Sequence, residues 1–272
     1  MAGKYWTASW NFAVGCEPCS AACENCWSPQ MVARWAVKEP RVRPTVEKRE
    51  GRWRWTGERA VLEERLQIPL HWAKPRVVAV NWLGDLFRVP PPGSRPVDVA
   101  NSKWAIDRAF RFMVKCRQHQ FLVLTKRRGR MLQFGDRWAA KYKEEVLAHI
   151  FWGITAWDQP SFNRARDMLG MIPGRTWISL EPLLGPVELS GHPMPDWIVL
   201  GAETGPKARP MQPTWAKNVR DQCLRACVPF WLKQTDAKRN RLLDGREWNQ
   251  APGLIARTLN EHGIKAEGGK NG

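Results

Sequence analysis

From residue 76 to residue 234 the chain repeats one pattern, a short apolar run with polar residues at or just beyond its end, followed in most repeats by a longer stretch of helical character. The runs are Arg76–Asn81, Phe121–Thr125, Ile150–Thr155, Thr176–Leu180, Trp197–Leu200 and Pro229–Leu232. Apolar runs this short fit strands buried on both faces, as a parallel sheet covered by helices requires. Helices are expected at 102–117, at about 136–148 and 159–170, and at 213–226, so the units read as βα repeats. With Tyr5–Trp10 as a first strand there are about seven strands, a number that suits a complete or partial parallel (βα) barrel better than a two-sided open sheet. The expectation is therefore a single α/β domain over residues 1–272. It carries a helix at 31–39, an Arg/Pro/Trp-rich insertion at about 40–60 and a polar C-terminal tail from about 253.

In such barrels the chemistry lies at the carboxyl ends of the strands. Those ends here hold Asn81 and Asp85, Lys126, Thr155, Ser179 and Glu181, Glu203, and Lys233 with Gln234. Strand termini meet solvent and are commonly polar, but a carboxylate or amine after nearly every strand would gather at one mouth. After the first strand come Cys16, Cys19, Cys23 and Cys26, four thiols within eleven residues. Thiols this close suit one soft centre, either a tetrahedral zinc or an iron-sulfur cluster. Zinc ribbons usually separate their two Cys-x-x-Cys knuckles by roughly 12 to 20 residues, far more than here, so a cluster is favoured. Cys116, Cys223 and Cys227 lie in periodic segments and read as core residues, the last two sharing a helix face.

The N-terminus MAGKYWTASW lacks a basic region followed by an apolar one, and seven cysteines without a secretion signal point to a reducing cytoplasm. No segment approaches 18 uninterrupted apolar residues, so no membrane span is expected. A formal net charge of +17 favours a polyanionic partner, most simply nucleic acid. The competing explanation is a compositional bias toward arginine. Clustering favours the partner: basic residues concentrate at 41–59, at Lys126, Arg127, Arg128 and Arg130, and at Lys238, Arg239 and Arg241. Seventeen tryptophans offer stacking surfaces, most of them expected in the core.

The run Trp10-Asn11-x3-Gly15-Cys16-x6-Cys23-x2-Cys26-Trp27 resembles the opening of phage-type, three-cysteine radical S-adenosylmethionine proteins, WN-x3-GC-x6-C-x2-C followed by an aromatic residue. The likeness continues through Pro69–Pro75, Asn81–Phe87, Leu124–Arg127, Ser179–Pro186, Asp196–Gly205, Ala208–Met211, Phe230–Gln234 and Leu243–Trp248, in order, over residues 5–252. Two departures stand out. Trp82-Leu83-Gly84 occupies the place of a serine-rich turn, and Cys19 stands where the family does not normally have cysteine, leaving the common C-x3-C-x2-C spacing through Cys19 as an alternative.

The resemblance implies a 4Fe-4S cluster on Cys16, Cys23 and Cys26, with Cys19 as alternative ligand, and S-adenosylmethionine on its open iron. It further implies an electron donor such as a flavodoxin or ferredoxin. By position, Asn81 and Asp85 would fix the methionine amine. Ser179, Glu181, Gly201 and Glu203 would grip ribose, carboxylate and adenine, and Lys126, Arg127 and Lys233 would meet carboxylate or phosphate. The expected activity is modification or isomerisation of a nucleobase substituent, foremost a hypermodified thymidine that protects viral DNA from host restriction, in the host cytoplasm. Nucleic-acid repair or RNA modification, and a non-catalytic zinc protein that binds nucleic acid, are the alternatives.

Overall fold

The computed structural model describes residues 3–88, 96–143, 147–172, 174–205 and 207–269, with the backbone alone for 96–101. Strands β1 (Ala8–Trp10) and β2 (Ala13–Val14) precede the cysteine loop. Helix α1 (Ser28–Trp35), the hairpin of β3 (Val46–Arg49) and β4 (Arg52–Trp55), and β5 (Ala60–Val61) follow it. The repeating part then runs β6 (Val77–Val80), α2 (Pro96–Lys115), β7 (Gln120–Thr125), α3 (Arg128–Ala139), β8 (Ile150–Thr155), α4 (Gln159–Leu169), β9 (Thr176–Leu180) and β10 (Ile198–Gly201). It closes with α5 (Pro213–Arg225), β11 (Phe230–Gln234), β12 (Gln250–Ala251), α6 (Gly253–Glu261) and β13 (Glu267–Gly268).

Seven strands form one parallel sheet in the order β1-β6-β7-β8-β9-β10-β11, so each new strand joins the edge left by the one before it. β1 and β11 are its two edges, and the sheet curls into a half-barrel. The fold is therefore mixed α/β with a partial parallel barrel. Because side chains alternate along a strand, each contributes to two cores. On the helix side, Phe121, Val123, Trp152, Ile154, Ile178, Ile198 and Leu232 pack against Phe110, Phe162 and Val219 of the helices. On the inner side, Leu122, Phe151, Trp177, Val199 and Trp231 meet Tyr5, Trp197 and the buried face of α6, Ile255, Ala256 and Leu259. Gly153 belongs to this inner row. A Cβ there would stand 2.3 Å from the indole nitrogen of Trp177, which donates to the carbonyls of Val123 and Phe151 at 3.1 and 3.3 Å.

Three elements differ from the sequence expectation. The helix expected at 136–148 is α3, which begins at Arg128 and ends at Ala139. Met131, Phe134, Gly135 and Trp138 bury one face of it, and a charged first turn does not stop a helix whose later turns are anchored. Residues 144–146 of that expectation lie outside the described residues. The segment at 40–60 is part of the architecture: Val42 and Val46 pack with Val14, Val32, Ala36 and Leu62 in a core of their own. The polar tail from 253 contains α6, whose apolar residues seal the inner side of the barrel. Among the described residues no helix is long and apolar enough to cross a membrane.

Candidate functional site

The motif around the first strand builds a backbone frame for the thiols. Asn81 leaves β6 with φ of 58°, a left-handed conformation that asparagine tolerates, and its amide donates to the Trp10 carbonyl at 2.8 Å. Its Oδ1 accepts from the Ala13 amide at 2.9 Å, while Asn11 Oδ1 accepts from the Leu83 amide at 3.1 Å. The two asparagines thus tie the exits of β1 and β6 together. Gly15 and Gly84 bridge there, and neither has room for a side chain. A Cβ on Gly15 would lie 2.2 Å from the Glu58 carbonyl oxygen, and one on Gly84 would lie 2.8 Å from the Gly15 oxygen. Cys16 is the next residue, so its place at the strand ends is set by backbone contact.

The rest of the cysteine loop is clasped from two sides. Asn25 donates to Glu203 Oε2 at 2.9 Å and to the Lys207 carbonyl at 3.1 Å. Arg209 binds Glu203 through its side chain and its own amide, and reaches the Ala21 carbonyl at 2.9 Å. From the β3–β4 hairpin, Arg52 donates to Asn25 Oδ1 at 3.0 Å and Arg54 to the Glu24 carbonyl at 2.6 Å. Arg127 donates to the Glu17 carbonyl at 3.1 Å.

Between this loop and the strand ends lies a cavity with about 850 Å³ of empty space, its open mouth included. All four loop cysteines line it. Facing them are Asp85, Lys126, Thr155, Ser179, Glu181 and Lys233. Five of these six fall on the inner row of their strands or just beyond it: Lys126 continues Leu122, Thr155 continues Phe151, Ser179 and Glu181 continue Trp177, and Lys233 continues Trp231. The walls are aromatic: Tyr5, Trp27, Trp55 and Trp82.

Asp85 anchors the thiol side. It accepts from Thr125 Oγ1 at 2.6 Å, the Lys126 amide at 2.9 Å and the Phe87 amide at 3.0 Å. Burial pulls the Lys126 ammonium down, but Cys23, Cys26, Asp85 and Cys16 outweigh it and hold its pKa above the ordinary lysine value. Burial pushes the Cys16 thiol up to about 12, with Asp85 and Cys26 adding to the shift. Cys19 donates to Cys23, which raises Cys19 and lowers Cys23; Lys126 and Ser20 further favour the Cys23 thiolate. Across the cavity Glu181 accepts from the Tyr5 hydroxyl at 2.8 Å, from Ser179 at 3.3 Å and from Lys233 at 2.5 Å. Burial and the adjacent carboxylate raise the Tyr5 phenol well above its ordinary value.

Asn81, Gly201 and Glu203 do not line this cavity. Asn81 holds the β1 exit, Gly201 stands where a Cβ would meet Gln234 and Glu181, and Glu203 holds the cysteine loop. Of the basic cluster residues, Arg127 turns onto the cysteine loop. Arg128 and Arg130 sit on the first turn of α3, Lys238 and Arg239 are exposed beyond β11, and Arg241 pairs with Glu247 at 3.0 Å. Tyr5 and Trp55 were not expected in the site; inner-row placement explains Tyr5, and no spacing in the sequence marks Trp55.

Among the described residues no three His, Cys, Asp or Glu side chains form a ready ligand set for a single ion. The four thiols on one cavity are soft donors of the kind that hold a zinc ion or an iron-sulfur cluster.

Fold and site together define a parallel βα half-barrel with a thiol-lined cavity at the carboxyl ends of its strands. A family model described as "Protein of unknown function (DUF5131)" matches residues 3–252, and the chain belongs to that family. No curated protein and no solved structure matches it.

Proposed function

We propose that the chain is a radical S-adenosylmethionine enzyme, with Cys16, Cys23 and Cys26 holding a 4Fe-4S cluster, that modifies or isomerises a nucleobase substituent. A hypermodified thymidine of viral DNA is the foremost substrate. The observation that carries the reading is one cavity that joins four thiols to the inward polar ends of β7, β8, β9 and β11. Cys16, Cys23 and Cys26 would hold the cluster, which with S-adenosylmethionine would supply one-electron radical chemistry at this cavity.

The chain's own residues have defined parts in this proposal. Lys126, on the cavity beside these cysteines, would offset the negative charge that three thiolates carry once they hold a cluster. Glu181, oriented by Tyr5, Ser179 and Lys233, presents a fixed acceptor to an ammonium or to ribose hydroxyls. Trp27, Trp55 and Trp82 offer flat faces to a purine or a nucleobase and keep water from the reacting atoms. Lys233, which lines the cavity, can meet a carboxylate or a phosphate, whereas Arg127 is engaged by Glu17 of the cysteine loop. A base must leave its stack to reach such a cavity.

The test is anaerobic reconstitution with iron and sulfide, followed by absorption spectra and mass spectrometry of nucleosides. Thymidine-modified DNA is incubated with the reduced protein and S-adenosylmethionine. The proposal expects charge-transfer absorption in the visible and an altered nucleoside. A colourless protein holding one zinc per chain would sink the radical reading in favour of a structural zinc.

A further inference from the structure

On the outer side of the sheet, between α2 and α3, lies a groove with about 1560 Å³ of open space. Arg130, Gln133, Arg137 and Lys141 line one bank at spacings of three and four residues, so they form a single stripe down α3 and the turn after it. Lys103 and Trp104 stand on the α2 bank. Lys103, Arg130, Arg137 and Lys141 are all exposed, and among the described residues none of them lies within ion-pair distance of a carboxylate. The acid in the groove, Asp107, is held by Arg111 at 2.7 Å. Other arginines do carry acidic partners: the exposed Arg41 has Glu39 and Glu64, and the buried Arg220 has Asp221 and Asp244. Among the described residues, the groove therefore concentrates positive charge that no carboxylate pairs with.

Its floor is of another kind. Phe87, Ile106, Phe134 and Trp138 are buried beneath the cations, and the Trp104 indole is 41% exposed at the edge, with the Arg108 guanidinium over its ring at 5.5 Å. An occupant must offer repeated negative charge and flat apolar faces. A run of acidic side chains alone supplies only the charge, and a duplex keeps its base faces stacked inside. A single strand of nucleic acid supplies both.

We propose that the groove between α2 and α3 binds a single-stranded stretch of nucleic acid, with phosphates on Lys103, Arg130, Arg137 and Lys141 and a base against Trp104. The proposal rests on the nucleic-acid part of the function above and needs nothing from the cysteine chemistry. Helix α3 begins two residues after Lys126, which lines the cavity, so a strand lying along the stripe leads from the cavity mouth down the outside of the barrel. That course suits a substrate whose flanking nucleotides must be held unpaired while one base is presented.

The test is fluorescence anisotropy of a labelled oligothymidylate, and of a hairpin duplex of equal charge, titrated with the full chain at several salt concentrations. Four proteins are compared: wild type, Lys103→Glu/Arg137→Glu, Trp104→Ala, and Lys238→Glu/Arg239→Glu as a control on another surface. Each variant is first shown to unfold at the wild-type temperature. Wild type is expected to bind the single strand more tightly than the duplex. The groove charge reversal should weaken single-strand binding at least tenfold and lower the log-log salt slope by about 1.4, two phosphate contacts at about 0.7 each. Trp104→Ala should weaken single-strand binding by about tenfold with little change in slope. If the groove reversal binds as wild type does while the Lys238/Arg239 variant loses binding, the groove is overturned and the nucleic-acid reading stands. If the duplex binds as well as the single strand, and Trp104→Ala changes neither, the single-strand assignment is overturned. If wild type binds neither at low salt, the groove and the nucleic-acid reading fall together.

Discussion

An alanine at position 15 would place its methyl group 2.2 Å from the Glu58 carbonyl oxygen, at a φ of 111° that L residues rarely adopt. Backbone strain of that kind costs about 1–3 kcal/mol, so Gly15→Ala is expected to lower the thermal midpoint and also to move Cys16. Melting curves combined with iron content after reconstitution separate the two effects, since loss of iron without loss of stability would point to displacement alone. Among the thiols, Cys16→Ala, Cys23→Ala and Cys26→Ala are each expected to abolish iron binding, and Cys19→Ala to retain it. Retention by Cys16→Ala with loss by Cys19→Ala would assign the commoner spacing. At this scale the sequence was informative where residue type is demanding: clustered thiols, Asp85, Lys126 and Glu181 were all legible and all line one cavity. It was ambiguous where one residue type serves two purposes. Asn81 and Glu203 look like binding residues at strand ends, yet both bind the protein's own chain, and only their partners reveal it.

The cysteine loop is held by other elements more than by itself. Glu203 and Arg209, just beyond β10, reach Asn25 and Ala21, so the loop's position depends on an ion pair distant in sequence. Removing the cation leaves a buried carboxylate short of donors, and Arg209→Ala is expected to cost about 2 kcal/mol and to raise protection-free exchange of amides at 20–26, measured by hydrogen exchange. Burial raises the Glu203 carboxyl, but the Arg209 guanidinium and amide, with Asn25, outweigh it and hold the group below the ordinary value of 4.5. A lowered carboxyl contributes stability that is fully present above that value and is lost as pH falls through the lowered one. Glu203→Gln should therefore flatten the acid side of the stability profile, read from melting temperatures between about pH 3 and 7. The strands were legible at this scale because burial on both faces writes continuous apolar runs. Segment 40–60 was not, because Arg52-Trp53-Arg54-Trp55 alternates two residue types that are both half-buried, and the alternation carries no contrast between core and solvent.

For the molecule as a whole, α6 packs the inner side of the barrel. It covers Trp197, Trp231 and Val77 on the inner side of the sheet, so truncation after Pro252 is expected to leave strands formed but packing lost. Near-ultraviolet dichroism should collapse while the far-ultraviolet signal persists and dye binding rises; unchanged near-ultraviolet dichroism would show that the barrel interior holds without it. The reading of that region as a tail came from its polar average, whereas its burial is confined to a few positions of one face. The sheet ends at β1 on one side and at β11 on the other, where Trp248 and Asn249 pair with it, and its inner aromatic residues are in continuous contact. Tyr5 has the rings of Trp6, Trp82, Trp177, Trp197 and Trp231 within 5.0–6.1 Å, and Tyr5 and Trp82 also form part of the cavity wall. Excitation energy passes readily between indoles packed this closely, so the chain carries its own optical gauge of what the cavity holds: a coloured centre seated among the thiols would dim the protein's intrinsic fluorescence, and a colourless ion would leave it bright.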